Sequence, residues 1–349
     1  MTSRHVRSLL DAAPQHSSEL GSITRLTADD FPLLTGLSIK RLVLEPGSIR
    51  EPHWHAIADE LGYCIAGSVL ISILDNGSAF SSFTIDAGQM FTIESGSLHH
   101  IENVGDTTAE FIIAFSDEQP EDFSLKAAFG AMSGAVLGNT FGLDAAAFTP
   151  MALSTSAADI VQRTGPAVIP DTAGLGNPHK FDLEGMSATI SQPYAHVRTS
   201  RTQFWPALKH LSMYSLTIAE DVMREPHWHP ITAEMGYVHK GRARMSILDP
   251  DGSVDTYVLK PGDVYFIPRA YPHQIEVIGD DEIHFLIFFD QPTPGDIGYR
   301  ASISAFSRPV LAATFGVDLD ALPDFPFTPS DPLVVPRTNP VDAVEEAES

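Results

Sequence analysis

The chain has 349 residues, more than the roughly 100–200 of one ordinary domain, so two domains are expected. It is 43% hydrophobic with 26 prolines and 25 glycines, which fits a turn-rich globular protein and excludes a coiled coil. Lysine and arginine total 21 against 45 aspartates and glutamates, and the resulting −24 at pH 7 argues against nucleic acid and anionic membranes as partners.

The first residues, 1–21, carry Arg4 and Arg7 but only Leu9-Leu10 as an apolar run, broken by Asp11. They read as a flexible arm without a secretory signal. Short runs rich in Ile, Val and Phe follow and predict strands near 68–74, 89–93 and 111–115. A helix is expected near 124–138, and the Pro- and Gly-containing stretch 164–179 reads as a linker. The second half predicts strands near 244–248, 264–267 and 283–288 and a helix near 302–314. Residues 339–349 are acidic, poor in apolar side chains and expected to be disordered. These cuts give domains at 1–165 and 166–338. Cys64 is the single cysteine, so internal disulfides and Cys-based zinc sites are excluded; it reads as buried packing. No run reaches the 18–20 or so apolar residues of a membrane span, and a cytoplasmic location is expected.

Self-comparison gives the architecture. Arg-Glu-Pro-His-Trp-His stands at 50–55 and again at 224–229, an offset of 174. The same offset relates Glu60 to Glu234, Gly67 to Gly241, Ser72-Ile73-Leu74-Asp75 to Ser246-Ile247-Leu248-Asp249, and His99 to His273. It also relates Thr140-Phe141-Gly142 to Thr314-Phe315-Gly316. Nearly the whole chain is one duplicated unit of short strands, which points to an all-β sandwich or barrel with short trailing helices.

On a strand, side chains two apart share a face, so His53 and His55 point together and Trp54 points away. Glu60 follows across a short turn, and His99 arrives from a distant strand after Gly96-Ser97. His227, His229, Glu234 and His273 repeat the set. Three imidazoles and a carboxylate form a divalent-metal site with open positions, unlike closed tetrahedral structural zinc. The donor set suits Mn(II) or Fe(II) and leaves Ni(II) and catalytic Zn(II) open. Arg50 and Arg224 stand three residues before the first histidine. In a straight strand they would face away from the lumen, so a turn or bulge must redirect them before a guanidinium can clamp a carboxylate. A net-acidic protein that takes an anion needs such local cations. Trp54 and Trp228 read as packing under a helix or at a contact.

These residues resemble the cupins, and specifically the two-domain oxalate decarboxylases. The first motif reads Gly47, five residues, His53-x-His55, four residues, Glu60, six residues, Gly67. The second reads Gly88, Gly96, His99 and Asn103, with Glu94 where the family usually has proline. The second unit keeps Pro268 but has Asp221, Ala270 and Val277 where Gly, Gly and Asn are usual, and Leu61 and Met235 replace a tryptophan that often follows the glutamate. The resemblance covers roughly 22–330. It implies a duplicated double-stranded β-helix, a bicupin of two jelly-roll barrels, with Mn(II) in each domain and O2 as a co-catalyst. It also implies a trimeric or hexameric homo-oligomer joined through the trailing helices.

The implied reaction is decarboxylation of oxalate, or a similar small dicarboxylate, to formate and CO2, with substrate bound by arginine. In the family a glutamate on a lid reading Ser-Glu-Asn-Ser-Thr donates the proton. This chain has Asp117-Glu118-Gln119-Pro120-Glu121-Asp122 instead, leaving Glu118 and Glu121 as candidates. The second-unit loop, 290–296, has no glutamate and two prolines, so the first site is expected to do the chemistry and the second mainly to bind metal. The alternatives are an oxalate oxidase or an iron- or nickel-dependent cupin dioxygenase, and a non-catalytic bicupin that binds metal or a carboxylate.

Overall fold

A computed structural model describes residues 3–279 and 281–342; residues 343–349, most of the expected acidic tail, lie outside the described part. The chain divides into two units. One comprises Leu9–Ser187 with Ser200–Leu211, the other Met1–Ser8, Ala188–Thr199 and Ser212–Ser349.

Strand β1 (Val6–Ser8) belongs to the second unit. The first unit begins with β2 (His16–Ser18), β3 (Gly21–Leu26), β4 (Ser38–Leu44) and β5 (Ser48–His55). It continues through β6 (Glu60–Ala66), β7 (Ser68–Leu74), β8 (Phe80–Asp86) and β9 (Gln89–Ile93), then β10 (Leu98–Asn103) and β11 (Ala109–Phe115). After β12 (Asp122–Ser124) come helices α1 (Leu125–Gly130) and α2 (Gly134–Phe141), then β13 (Ile160–Gln162) and β14 (Lys180–Asp182). Two antiparallel sheets result. One runs β14-β9-β6-β11-β4-β3-β2; the other runs β12-β5-β10-β7-β8, with β13 also on β5. Alternation fills the space between them. Val69, Ile71 and Ile73 of β7 and Phe111 and Ile113 of β11 point inward, each fully buried and stabilising by about 1.5–3 kcal/mol.

The second unit repeats this plan. Strands β15 (Ile190–Gln192), β16 (Ala195–Ser200) and β17 (Ser212–Ile218) precede the histidine strand β18 (Val222–Trp228) and β19 (Glu234–Lys240). Then follow β20 (Arg242–Leu248), β21 (Val254–Leu259), β22 (Asp263–Ile267), β23 (His273–Ile278), β24 (Ile283–Phe289) and β25 (Ile297–Gly298). Helices α3 (Tyr299–Ala305) and α4 (Arg308–Phe315) lead to β26 (Val334–Pro336). Its sheets run β1-β22-β19-β24-β17-β16-β15 and β21-β20-β23-β18-β25, with β26 on β18.

Three expectations change. The arm 1–21 is built into strands: Val6 pairs with Tyr265 on β22, and the buried His5 ring sits 2.9 Å from the Phe266 carbonyl. The stretch 164–179 packs on the first unit, where the Thr84 amide donates to Ala173 and the Thr92 amide to His179. The division therefore falls near 187/188 rather than 165/166. Each expected helix is two short ones, because Ser133 caps a fresh start by accepting from the Val136 amide and Pro309 opens α4. The repeated Thr-Phe-Gly ends α2 and α4, with Gly142 and Gly316 at φ +68° and +66° as left-handed caps.

Candidate metal centre

The redirection required of Arg50 is present. β5 pairs with β10 at His53↔His99 and next at Arg50↔Ile101, so β5 carries one extra residue between the pairs. Pro52, with no amide hydrogen to give the ladder, lies inside that bulge. Arg50 and Glu51 are consequently both buried, and the guanidinium turns to the side that holds the histidines. The second unit bulges at the same place, between Arg224↔Ile275 and His227↔His273.

His53, His55, Glu60 and His99 offer ligand atoms that all lie within 4.8 Å of one another, as do His227, His229, Glu234 and His273. All eight are buried. The ring spacings almost coincide: His53–His99 and His227–His273 are each 4.2 Å apart, and His53–His55 and His227–His229 each 5.0 Å.

The outer nitrogens fix the tautomers. His53 Nδ1 donates to the Glu51 carbonyl at 2.7 Å, His99 Nδ1 to Ser97 at 2.9 Å, and His55 Nδ1 to the Asp122 carboxylate at 2.7 Å. Nε2 of His53 and of His99 therefore presents its lone pair inward, while His55 Nε2 lies 2.6 Å from Glu60 Oε2, and outer partners of this kind hold a metal-binding imidazole in place. Nε2 of His53 and His99 and Oε1 of Glu60 are buried without a hydrogen-bond partner, and a divalent cation satisfies all three. Burial, with the Arg50 charge behind it, holds His53 well below its ordinary pKa and keeps it in the neutral, ligating form; burial and Arg224 do the same to His227.

The two centres differ in what surrounds them. In the first unit Arg50 donates through Nη2 to Asp122 at 3.1 Å and through Nη1 to the Asp159 carbonyl, also at 3.1 Å. Asp122 therefore bridges Arg50 and His55. Burial opposes its charge, but the His55 hydrogen bond and the Lys40 and Arg50 charges hold its carboxyl well below the usual range. Lys40 stands with its Nζ 3.8 Å from Glu60 and 4.5 Å above the Phe115 ring. Burial lowers its pKa against the pull of Glu60 and Asp122. A cavity of about 470 Å³ opens here, lined by Lys40, Arg50, Glu121, Asp122 and Asp159 among others.

In the second unit the position of Lys40 is Tyr214 and that of Phe91 is Tyr265, whose hydroxyl donates to Glu234 at 2.7 Å. Asp296 takes the place of Asp122, contacting Arg224 and His229. The space beside these ligands is only about 20 Å³, closed by Leu216, Ile275, Ile287 and Phe289.

The eight predicted ligands and Arg50 and Arg224 come together at their two centres. Glu118 does not: its carboxylate accepts from the Gly36 amide at 2.7 Å, tied to a loop instead of the cavity. The carboxylate that reaches the site is Asp122, with Glu121 on the cavity wall. Sequence reasoning missed Lys40, Asp122, Asp159 and Asp296. Lys40 left one signal, for it stands on the same strand face as the fully buried Leu42 and Leu44. Trp54 faces outward and stacks on Phe123. Cys64 is buried and its thiol is pushed up to about 12, as packing requires.

Among known proteins, oxalate decarboxylase OxdC of Bacillus subtilis (strain 168) is 28% identical over 315 residues, covering 86% of this chain and 79% of the relative. A probable oxalate decarboxylase of Arthroderma benhamiae is 24% identical over 317 residues, covering 86% and 76%. A solved structure addressing the Mn(II) centres of Bacillus subtilis oxalate decarboxylase superposes with a TM-score of 0.84 at 24% identity, over 97% of this chain and 90% of that one. In the described residues no helix is long and apolar enough to cross a membrane. The cupin family model matches residues 7–147 and again 181–321, so the chain belongs to the cupin family, with one copy of the domain in each half.

Proposed function

We propose that this protein decarboxylates oxalate to formate and CO2 in its first unit, with Mn(II) held by His53, His55, Glu60 and His99. The observation that carries this reading is a buried His3Glu set whose neighbours Lys40, Arg50 and Asp122 line a cavity of about 470 Å³, against about 20 Å³ beside the second set. A bound Mn(II) supplies a Lewis acid with positions left for a substrate carboxylate. Arg50, held by Asp122 and Asp159, presents a preoriented guanidinium to that carboxylate. The carbon–carbon bond breaks as CO2 leaves, its electron pair stays on the retained carboxylate carbon, and one proton taken up there gives formate. Glu121, on the cavity wall, is the carboxyl we assign to that proton transfer.

His227, His229, Glu234 and His273 would hold a second ion beside a space of only about 20 Å³, where Arg224 pairs with Asp296, and we assign that centre to metal binding. The helix faces support homo-oligomer formation. Val136, Phe141 and Leu143 in one unit, and Val310, Phe315 and Val317 at the matching offset in the other, are all exposed apolar residues. A cytoplasmic location fits the reading.

An oxidase is the second reading, favoured by one observation: Glu118 is tied to Gly36 and cannot serve as the lid acid in this state. Purified manganese-loaded protein given oxalate decides between them. Formate equal to oxalate consumed supports the decarboxylase, whereas stoichiometric O2 uptake with peroxide release overturns it.

A further inference from the structure

Building on that reading, we infer that Lys40 is a substrate-binding residue of the first unit, supplying the positive charge that recognises a compact dicarboxylate, and that it sets the substrate specificity of this unit. Lys40 is the one buried lysine of the six in the chain. Burying an ammonium is costly without a dedicated counter-charge, and such a group is kept where it meets a charged partner. Among the described residues the carboxylate paired with it is Glu60, at 3.8 Å beyond hydrogen-bond reach and itself a member of the ligand set. A divalent ion held by Glu60 would share that carboxylate's charge, and Lys40 already lines the cavity. The Phe115 ring beneath it fixes its direction.

Arg50 cannot do this alone. Its Nη2 is given to Asp122, and its Nη1 to the Asp159 carbonyl and, at 3.5 Å, carboxylate. Two acidic neighbours thus offset its charge, and a substrate with two carboxylates needs a second cation. Half-buried Arg25 lines the same cavity and adds to the positive field. The duplicate unit supplies the internal comparison: Tyr214 stands where Lys40 does, and the space lined by Tyr214 and Arg224 is about 20 Å³ against about 470 Å³ for the one lined by Lys40 and Arg50. The lysine and the open cavity occur together.

The test uses manganese-loaded full-length protein with Lys40→Met, Lys40→Arg and Lys40→Tyr, the last placing in this unit the residue its duplicate already accommodates. Manganese content is measured by elemental analysis, oxalate affinity by titrating the Mn(II) EPR spectrum, and kcat and KM by formate release. K40M and K40Y are expected to keep their manganese and to bind oxalate roughly 10- to 100-fold more weakly, with the loss mainly in KM. K40R is expected to stay within a few-fold of the parent. Unchanged affinity in K40M or K40Y overturns the proposal. So does loss of manganese with unchanged affinity per bound ion, which would make Lys40 a support for Glu60. If the parent binds oxalate but releases no formate, the decarboxylase reading fails while the affinity ratios still judge Lys40.

Discussion

Asp122 is the place where the first unit's arginine and its metal centre are joined, so Asp122→Ala is the most informative single change. The carboxylate accepts from His55 Nδ1 at 2.7 Å and from Arg50 Nη2 at 3.1 Å. Without it His55 loses the partner that selects its tautomer and ring orientation, while His53 and His99 keep their carbonyl acceptors. One hydrogen bond to a charged group is worth about 1.5–3 kcal/mol, or a factor of about 10 to 150 in an equilibrium constant. Loss of the outer partner of a ligating histidine costs about 10- to 100-fold in metal affinity. The two estimates agree. D122A is therefore expected to surrender its first-unit manganese to chelator at concentrations about 10- to 100-fold lower than the parent, while the second-unit ion is retained. Elemental analysis across an EDTA series measures the loss, and anomalous diffraction at the manganese edge assigns it to a unit. Asp296→Ala is expected to cost the second centre less, because the Gly295 carbonyl still accepts from His229 Nδ1 at 3.1 Å. If D122A holds both ions as the parent does, the bridge does not support the centre and the account of His55 is wrong.

Three further outcomes are expected. Cys64 is buried with its thiol pushed up to about 12, so native protein at pH 8 is expected to resist thiol reagents that react fully after unfolding; rapid labelling of folded protein would contradict its placement. Ala270 occupies the position of Gly96 at φ +66°, and Ala270→Gly is expected to raise stability by up to about 1 kcal/mol, read as a higher midpoint in denaturant. Phe141→Glu and Phe315→Glu, placed on the exposed faces of α2 and α4, are each expected to reduce the assembly to smaller species by light scattering, with manganese content unchanged.

The ligand set was legible because three local rules converge. Alternation along a strand puts His53 and His55 on one face, the 174-residue offset repeats every member, and a strand turn places Glu60 next in line. The need for a bulge at Arg50 also followed from parity alone. What could not be read was pairing between distant segments. Residues 6–8 look like a polar arm, yet they become an edge strand on β22 more than 250 residues away. A three-residue strand has too few side chains to show a period. Asp122 was hidden for a related reason. It stands in a run of acidic residues, and only the pairing of β12 with β5, Asp122 opposite His55, distinguishes it from Glu118 and Glu121.

Duplication makes the two centres a controlled comparison, since the ring spacings and the carbonyl acceptors of His53, His99, His227 and His273 are nearly the same in both. The differences lie in the side chains around the ligands: Lys40 against Tyr214 and Phe91 against Tyr265, with Glu121 against Gly295 and Asp159 against Leu333 on the cavity side. Tyr265 fills the remaining hydrogen-bond capacity of Glu234, so the second centre has a satisfied carboxylate in an almost closed space. Phe91 cannot donate, so Glu60 Oε1 is left without a partner, and the open cavity of this unit is lined by its neighbours Lys40, Arg50 and Asp122. A closed, saturated site suits an ion that stays, and an open, unsaturated one suits an ion that must also take a substrate. The division of labour between the halves therefore rests on the residues around the ligands, since the ligands themselves are the same.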